Sequence, residues 1–223
     1  MSLILAIDTA TQAIGIALHD GSTLLAECTW QGGRYHTVEL APEIALILRR
    51  VKRSVSDLTA VAVARGPGSY TGLRIGMALA KGLALAHRLP LLGLSTFDVL
   101  ASAQPLQSTD MLAVIRAGRS RIGVCAYKQV DGAWNVSGEP YNTTWQELIE
   151  RIEEPVYICG EVHLESLLDL GENDLISFAS PPNSLRRPGW LAELAWQYVR
   201  SGKITDAAAL APEYLNPRGE SAL

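Results

Sequence analysis

Residues 59–87 read TAVAVARGPGSYTGLRIGMALAKGLALAH. The stretch joins three pieces. Ala60-Val61-Ala62-Val63-Ala64 is a short apolar run with β-branched residues, the pattern of a strand buried on both faces. Arg65-Gly66-Pro67-Gly68-Ser69-Tyr70-Thr71-Gly72 is a glycine-rich turn. Leu73 to His87 has helical character, with Leu73, Ile75, Met77, Leu79, Leu83 and Leu85 interleaved with small residues. Gly72, Gly76, Ala80 and Ala84 recur every fourth position and so stack along one side of that helix. Glycine in a helix interior costs up to about 1 kcal/mol relative to alanine, so the stripe calls for a close-approaching backbone. Either a partner protein or the chain's own sheet would satisfy it. No acidic residue occurs from Leu58 to Phe97, whereas Arg65, Arg74, Lys81 and Arg88 are basic. A smooth, mildly positive helix of this kind predicts a docking surface, on which a bulky residue at Gly76 or Ala80 would block pairing and leave the monomer folded.

The chain has 223 residues, enough for one large domain or two small ones. Its hydrophobic content of 48% with 19% charged residues is globular. A net charge of −4 speaks against autonomous nucleic-acid binding. Local basic clusters (Arg49-Arg50 with Lys52-Arg53, Arg116 with Arg119 and Arg121, Arg186-Arg187) read as solvated faces. Cys28, Cys125 and Cys159 are odd in number and widely spaced, which suits reduced thiols better than a disulfide framework. Met1-Ser2 leads straight into Leu3-Ile4-Leu5 with no basic leader, and Arg88 and Pro90 interrupt the most apolar region. A cytoplasmic protein without a membrane segment is expected.

Outward from the central stretch, Leu3–Ile7, Ala13–Leu18 and Thr23–Thr29 read as strands, the last two joined by the Asp20-Gly21 turn. Thr37–Arg53 reads as a helix, Leu91–Leu94 as a strand and Thr96–Ser102 as a short helix. The order is βββαβαβα. After the polar linker at 104–109, strands are expected at Met111–Ile115, Arg121–Val130 and Trp134–Val136, and a helix at Trp145–Ile152. A strand at Val156–Ile158, a helix at Glu161–Leu170, a strand at Ile176–Ala179 and a helix at Trp190–Arg200 follow, then an extended tail over 211–217. The second half again opens βββα. Two tandem α/β subdomains, 1–103 and 104–223, facing each other across a cleft, are the expected organisation.

The chemistry-bearing motifs are incomplete. Gly66, Gly68 and Gly72 stand between a strand and a helix, the context of a dinucleotide loop. Their spacing is GxGxxxG, and Leu94-Ser95 ends the next strand where a ribose-binding acid would stand. No Lys-Ser/Thr pair follows Gly72, as a phosphate-binding P-loop requires. Asp8-Thr9-Ala10-Thr11 occupies the place where actin- and hexokinase-like folds hold a metal-bound phosphate. Ala10 replaces the glycine that lets backbone amides approach the phosphate. Arg116 stands where a second carboxylate would face it, and Gly160 is single where an adenosine turn uses two. These three loops argue against ATP hydrolysis. His19, His36, His87 and His163 form no i, i+4 pair, and His36 with Glu39 lacks a third ligand. Ser69 lacks a G-x-S-x-G elbow.

Ile7-Asp8-Thr9-Ala10-Thr11, the helix that carries His36, and Arg65-Gly66-Pro67-Gly68-Ser69-Tyr70-Thr71-Gly72-Leu73-Arg74-Ile75-Gly76 closely resemble the TsaB family, once grouped with glycoprotease-like proteins. The likeness covers the first hundred residues well. The second half matches loosely, mainly through Ile115-Ala117 and Pro212-Tyr214-Leu215. The resemblance implies an actin/hexokinase-like (ASKHA) fold of two βββαβα-type subdomains. It implies a non-catalytic scaffold and activating subunit in the transfer of threonylcarbamoyl to the adenosine beside the anticodon of tRNAs, with no cofactor, metal or catalytic residue of its own. The catalytic paralogue, TsaD, carries a metal-binding His-x-x-x-His, at which this chain has His36 and Leu40. The implied partners are TsaD as heterodimer, TsaE with ATP on that pair, a second copy when alone, and tRNA indirectly. The implied interface comprises Arg65, Gly66, Pro67, Gly68, Ser69, Tyr70, Thr71, Gly72, Leu73, Arg74, Gly76, Met77, Ala80, Leu83 and Ala84, beside the degenerate nucleotide loop Asp8, Thr9, Ala10 and Thr11. Arg116-Ala117-Gly118 stands where the family usually has Asp-Ala-Arg. An actin-fold phosphotransferase and a glycoprotease-like peptidase are the alternatives.

Overall fold

The structure is a computed structural model that describes residues 2–32, 36–118, 120–162, 173–203 and 209–215. The chain divides into two compact units. The first comprises Met1–Val99 and Arg187–Glu213, and the second Leu100–Arg186 with the stretch that begins at Tyr214. The first break falls between Val99 and Leu100, where 103/104 was expected. The expectation that 104–223 forms one piece is corrected, because the C-terminal helix buries its apolar face on the first unit's sheet.

The first unit holds β1 (Ile4–Asp8), β2 (Ala13–His19), β3 (Leu24–Gln31), α1 (His36–Arg50), β4 (Ala60–Gly66), α2 (Tyr70–His87) and β5 (Leu91–Ser95), and α3 (Thr96–Ser102) begins in it and ends in the second. Its sheet runs β3-β2-β1-β4-β5. The first three strands are antiparallel, and β4 and β5 join parallel to β1. Alternation along the strands sorts side chains by size. Leu5, Ile7, Ile14, Ile16, Leu18, Val61 and Val63 face the core shared with α1 and α2. Ile4, Ala6, Ala17, Ala60, Ala62 and Ala64 face the other side. The returning helix packs there through Leu191, Ala192 and Ala195. We number that helix α6 (Pro188–Arg200). The run of alanines lets it lie close, and the Pro188 ring fills the space a side chain at Gly15 would need.

The second unit repeats the plan with β6 (Asp110–Arg116), β7 (Ile122–Val130), β8 (Ala133–Val136), β9 (Tyr141–Thr143), α4 (Trp145–Ile149), β10 (Val156–Gly160), β11 (Ile176–Phe178) and α5 (Pro181–Ser184). Its sheet order is β11-β10-β6-β7-β8, with β9 also paired to β7. With β9 left out of the numbering and the sheet read from β8, that is the same order as the first sheet. Strand β9 was not expected, and α4 is shorter than its periodicity predicts. The expected helix 161–170 lies largely outside the described residues. No helix among the described residues is long and apolar enough to cross a membrane.

Charge fixes the entry of α6. The Gly189 N–H donates to Glu27 Oε1 at 2.9 Å, and Arg187 Nε donates to Glu27 Oε2 at 3.1 Å. Farther along, buried His19 holds the helix to the β2–β3 turn. Its Nδ1 accepts from the Gly21 N–H at 3.0 Å, which leaves Nε2 as the donor to Glu193 Oε2 at 3.1 Å. Removing the Glu27 carboxylate strips the helix start of its acceptor. Glu27→Ala is expected to cost about 1–2 kcal/mol, since a charge-assisted bond is worth more than a neutral one but Arg187 is half-exposed. Glu27→Gln, which keeps an acceptor for Gly189, should cost less. Thermal melts followed by circular dichroism measure both.

Candidate functional site

The glycine turn and the start of α2 are built against the turn that follows β1. Asp8 is 1% exposed, and its Oδ1 accepts from the Ala10 N–H at 2.8 Å. The Ser69 N–H donates to the Ala10 carbonyl at 2.6 Å, and Thr9 Oγ1 donates to the Gly72 carbonyl at 2.8 Å. Ser69 caps the helix, its hydroxyl accepting from the Gly72 N–H at 3.3 Å. A Cβ at Gly68 would overlap the Ala10 carbonyl oxygen, and one at Gly72 the Thr9 carbonyl oxygen. One at Gly76 would overlap Thr9 Oγ1. The backbone brought close by the small-residue stripe therefore belongs to this chain.

This corrects the docking role expected of the stripe itself. Gly72, Leu73, Gly76, Met77, Ala80 and Ala84 are buried on their own sheet, so a bulky residue at Gly76 or Ala80 strikes the fold before it meets any partner. Gly66 and Pro67 are buried as well. Gly66 has φ 122°, and the Glu213 carbonyl oxygen lies where its side chain would start. Glu213 donates its N–H to the Arg65 carbonyl at 2.7 Å, and Arg65 Nη2 sits 3.2 Å from Glu213 Oε2. Nothing in the local sequence marked Glu213. Only the return of the tail to the first unit places it there.

The opposite face of α2 is open. Ser69, Tyr70, Thr71, Arg74 and Ala78 are exposed and Leu83 is partly so. Tyr70 is 56% and Leu85 84% exposed. The Arg74 guanidinium lies over the Tyr70 ring, 3.9 Å from its centroid, a cation–π pair that stiffens two long side chains. Between α1 and α2 runs an apolar groove of about 550 Å³, lined by Leu40, Ala41, Tyr70, Thr71, Arg74, Ile75, Ala78 and Leu79. Ile75, Ala78 and Leu79 were missed from sequence because the glycines drew attention to the wrong side of α2, and Leu40 and Ala41 because they lie on the neighbouring helix. Arg74 and Ala78 are four apart on its exposed face, and that spacing is the signal that could have found them.

The remaining motifs settle into structural roles. Leu40 is 1% exposed in the core, and Glu39 Oε2 accepts from Trp30 Nε1 at 3.2 Å. The His36 side chain lies outside the described residues. In the second unit Glu161 joins two loops. Its Oε2 accepts from the Arg116 N–H and its Oε1 from buried Arg186 Nη1, both at 3.0 Å. Arg116 Nε donates to the Gly118 carbonyl at 3.1 Å. Gly160, at φ 113°, is required because the Val114 carbonyl oxygen lies where its Cβ would be. Cys125 and Cys159 are buried and Cys28 is partly so, all three as free thiols. Burial pushes the Cys159 thiol up to about 12, and its Sγ lies 3.6 Å from Met111 Sδ. It is no thiolate nucleophile near neutral pH. Among the described residues no group of three or more His, Cys, Asp or Glu side chains could hold a metal ion.

The family model of TsaD, tRNA N6-adenosine threonylcarbamoyltransferase, matches residues 28–176. The tRNA threonylcarbamoyladenosine biosynthesis protein TsaB of Bacillus subtilis is 31% identical over 219 residues, covering 95% of this chain and 93% of that protein. The chain belongs to the TsaB family. Escherichia coli TsaB is 38% identical over 138 residues, 59% of this chain and 58% of that one. Among solved structures, YeaZ from Pseudomonas aeruginosa superposes with a TM-score of 0.80 at 24% identity, covering 96% of this chain and 100% of that chain. The ethanolamine utilization protein EutJ of Carboxydothermus hydrogenoformans follows at TM-score 0.53 and 13% identity, covering 86% and 89%. The fold is the actin-like ATPase fold, and this TsaB family member carries its twice-repeated strand order.

Two glycines on α2 separate packing from propensity. Gly76→Leu should lower the melting temperature, since overpacking costs about 1–3 kcal/mol. Gly82 has open space around it, so Gly82→Ala should stabilise the chain by up to about 1 kcal/mol. Thermal melts of the two variants should move in opposite directions.

Proposed function

We propose that this chain is the non-catalytic activating subunit of tRNA threonylcarbamoyladenosine synthesis. It pairs with the threonylcarbamoyltransferase TsaD through the exposed face of α2 and the groove beside it. The observation that carries the reading is the turn after β1. The place where an actin-like enzyme would hold phosphate is filled by Gly68 and Gly72 backbone, and Asp8 spends one carboxylate oxygen on the Ala10 N–H. A backbone so occupied has little left with which to grip a nucleotide, whereas an open apolar groove suits a partner helix. The chain is itself similar to the TsaD family, so the transferase is expected to present a comparable helix pair. Two such grooves fit face to face, and a second copy of this chain would do the same when no transferase is present.

In this arrangement Ser69, Tyr70, Thr71, Arg74 and Leu83 meet the partner. Arg65, Gly66, Pro67, Gly68, Gly72, Leu73, Gly76, Met77, Ala80 and Ala84 hold the helix in place from behind. TsaE, with ATP, joins the pair, and the tRNA is modified on the assembled complex in the cytoplasm. The work of this chain is to hold the transferase in its active arrangement.

Transfer of threonylcarbamoyl to tRNA by TsaD, with TsaE, ATP and threonylcarbamoyl-adenylate supplied, should depend on this protein. Equal yields of modified nucleoside with and without it would end the proposal. Ala78→Glu, which sets a charge in the groove at an exposed position, should weaken pairing by about a hundredfold, since an unpaired charge buried at an interface costs several kcal/mol. Its melting temperature should match the parent's, and light scattering with and without TsaD reads the pairing. Calorimetric titration of Mg-ATP into the isolated chain should give no heat of binding at micromolar concentrations. Tight binding with turnover to ADP would point to an actin-fold phosphotransferase instead.

A further inference from the structure

The groove uses none of the basic residues at the far end of α1. Those residues belong to one edge of the first unit. The parallel strands β1, β4 and β5 all begin there, with Ile4 opposite Ala60 and Val61 opposite Leu91. The connections that lead into β4 and β5 therefore meet at that edge. The Thr59 N–H donates to the Leu3 carbonyl at 2.8 Å, and the Val61 N–H to the Pro90 carbonyl at 2.9 Å. Leu58, Val51, Val55 and Leu89 share one apolar cluster, which pins the two connections together. Along them Arg49, Arg50, Lys52, Arg53 and Arg88 are all exposed. Lys52 and Arg88 are held in the left-handed region, at φ 56° and 55°.

Three acids stand at the same edge: Glu193, already paired with His19, and two aspartates. Asp57 accepts from the Ser54 N–H at 2.8 Å, and Asp20 in the β2–β3 turn accepts from the Ser22 N–H at 2.9 Å. These bonds hold both carboxyls below the usual range, so both are charged at neutral pH. Five cations against three acids leave a positive edge on a chain whose net charge is −4. Guanidinium forks match phosphate oxygens in pairs. Among the described residues none of the exposed aromatics Tyr70, Phe178, Trp190 and Tyr214 lies on these connections, so the two connections offer neither an exposed base-stacking platform nor a membrane-interface anchor.

We propose that this edge binds an RNA phosphate backbone, making the chain a direct contact for the tRNA on which the proposed complex acts. The inference rests on the proposed function for the identity of the RNA. The surface itself rests on the arrangement of the five cations. Binding is independent of sequence and is governed by counterion release.

Fluorescence anisotropy with a labelled tRNA transcript and the full chain, across a salt series, tests the surface. Five phosphate contacts should give a slope of log K against log salt of roughly −3.5 to −4.5. Arg49→Gln with Arg50→Gln should reduce the slope by about 1.4 to 1.8 and weaken binding at low salt by about tenfold or more. Lys52→Asn with Arg88→Asn should do the same, because asparagine keeps the left-handed backbone. Both double variants should melt like the parent, Ala78→Glu should bind the tRNA unchanged, and vesicles containing phosphatidylserine should retain none of the proteins. An unaltered slope and affinity in both double variants would overturn the surface, as would retention on the vesicles equal to that on tRNA. If both double variants pair with TsaD and bind tRNA as the parent does, this inference fails and the proposed function stands. If tRNA binding follows the cations but no pairing with TsaD is found, the proposed function fails and the surface stands.

Discussion

The approach of α2 to the turn after β1 is the constraint on which the first unit depends. Two segments distant in sequence meet at backbone distance, with the Thr9 hydroxyl and the Ala10 carbonyl bonded directly into the first turn of the helix. A helix packed on ordinary side chains stands off its neighbour by their thickness. Here glycines at 68, 72 and 76 remove that thickness where it would collide. The same approach turns the helix so that Tyr70, Arg74 and Ala78 face outward. Burial of one helix face and exposure of the other have a single geometric cause.

The sheet's two faces carry that constraint to the rest of the unit. Large aliphatic residues on one face give α1 and α2 a deep core, whereas alanines on the other let α6 lie close. The tail is held by small residues too. Leu210 occupies the space a side chain at Gly93 would fill, and Glu213 returns to Arg65 at the end of β4. The glycine turn is thus held by the β1 turn and by the tail. The exposed helix face thus starts from a turn held on two sides.

The second unit repeats the strand order but spends its loop ends differently. Glu161 ties the end of β6 to Arg186, and Gly160 makes room for a neighbouring carbonyl. A buried arginine needs a carboxylate partner, since an unpaired buried charge is costly. The Arg186–Glu161 pair meets that need.

The sequence by itself determined the element order from β1 to α3, the β2–β3 turn at Asp20-Gly21 and the helix at α2. Those follow from alternation and turn residues, both local properties of the chain. Motif likeness to the TsaB family was legible for the same reason. Only the tertiary structure decided which side of α2 faces inward. The spacing of Gly72, Gly76, Ala80 and Ala84 demands a close neighbour without saying whose backbone it is. Thr9 and Ala10 answer that from more than fifty positions away. The return of α6 and of Glu213 to the first unit was likewise invisible, because an amphipathic helix specifies that it must cover an apolar surface and not which one.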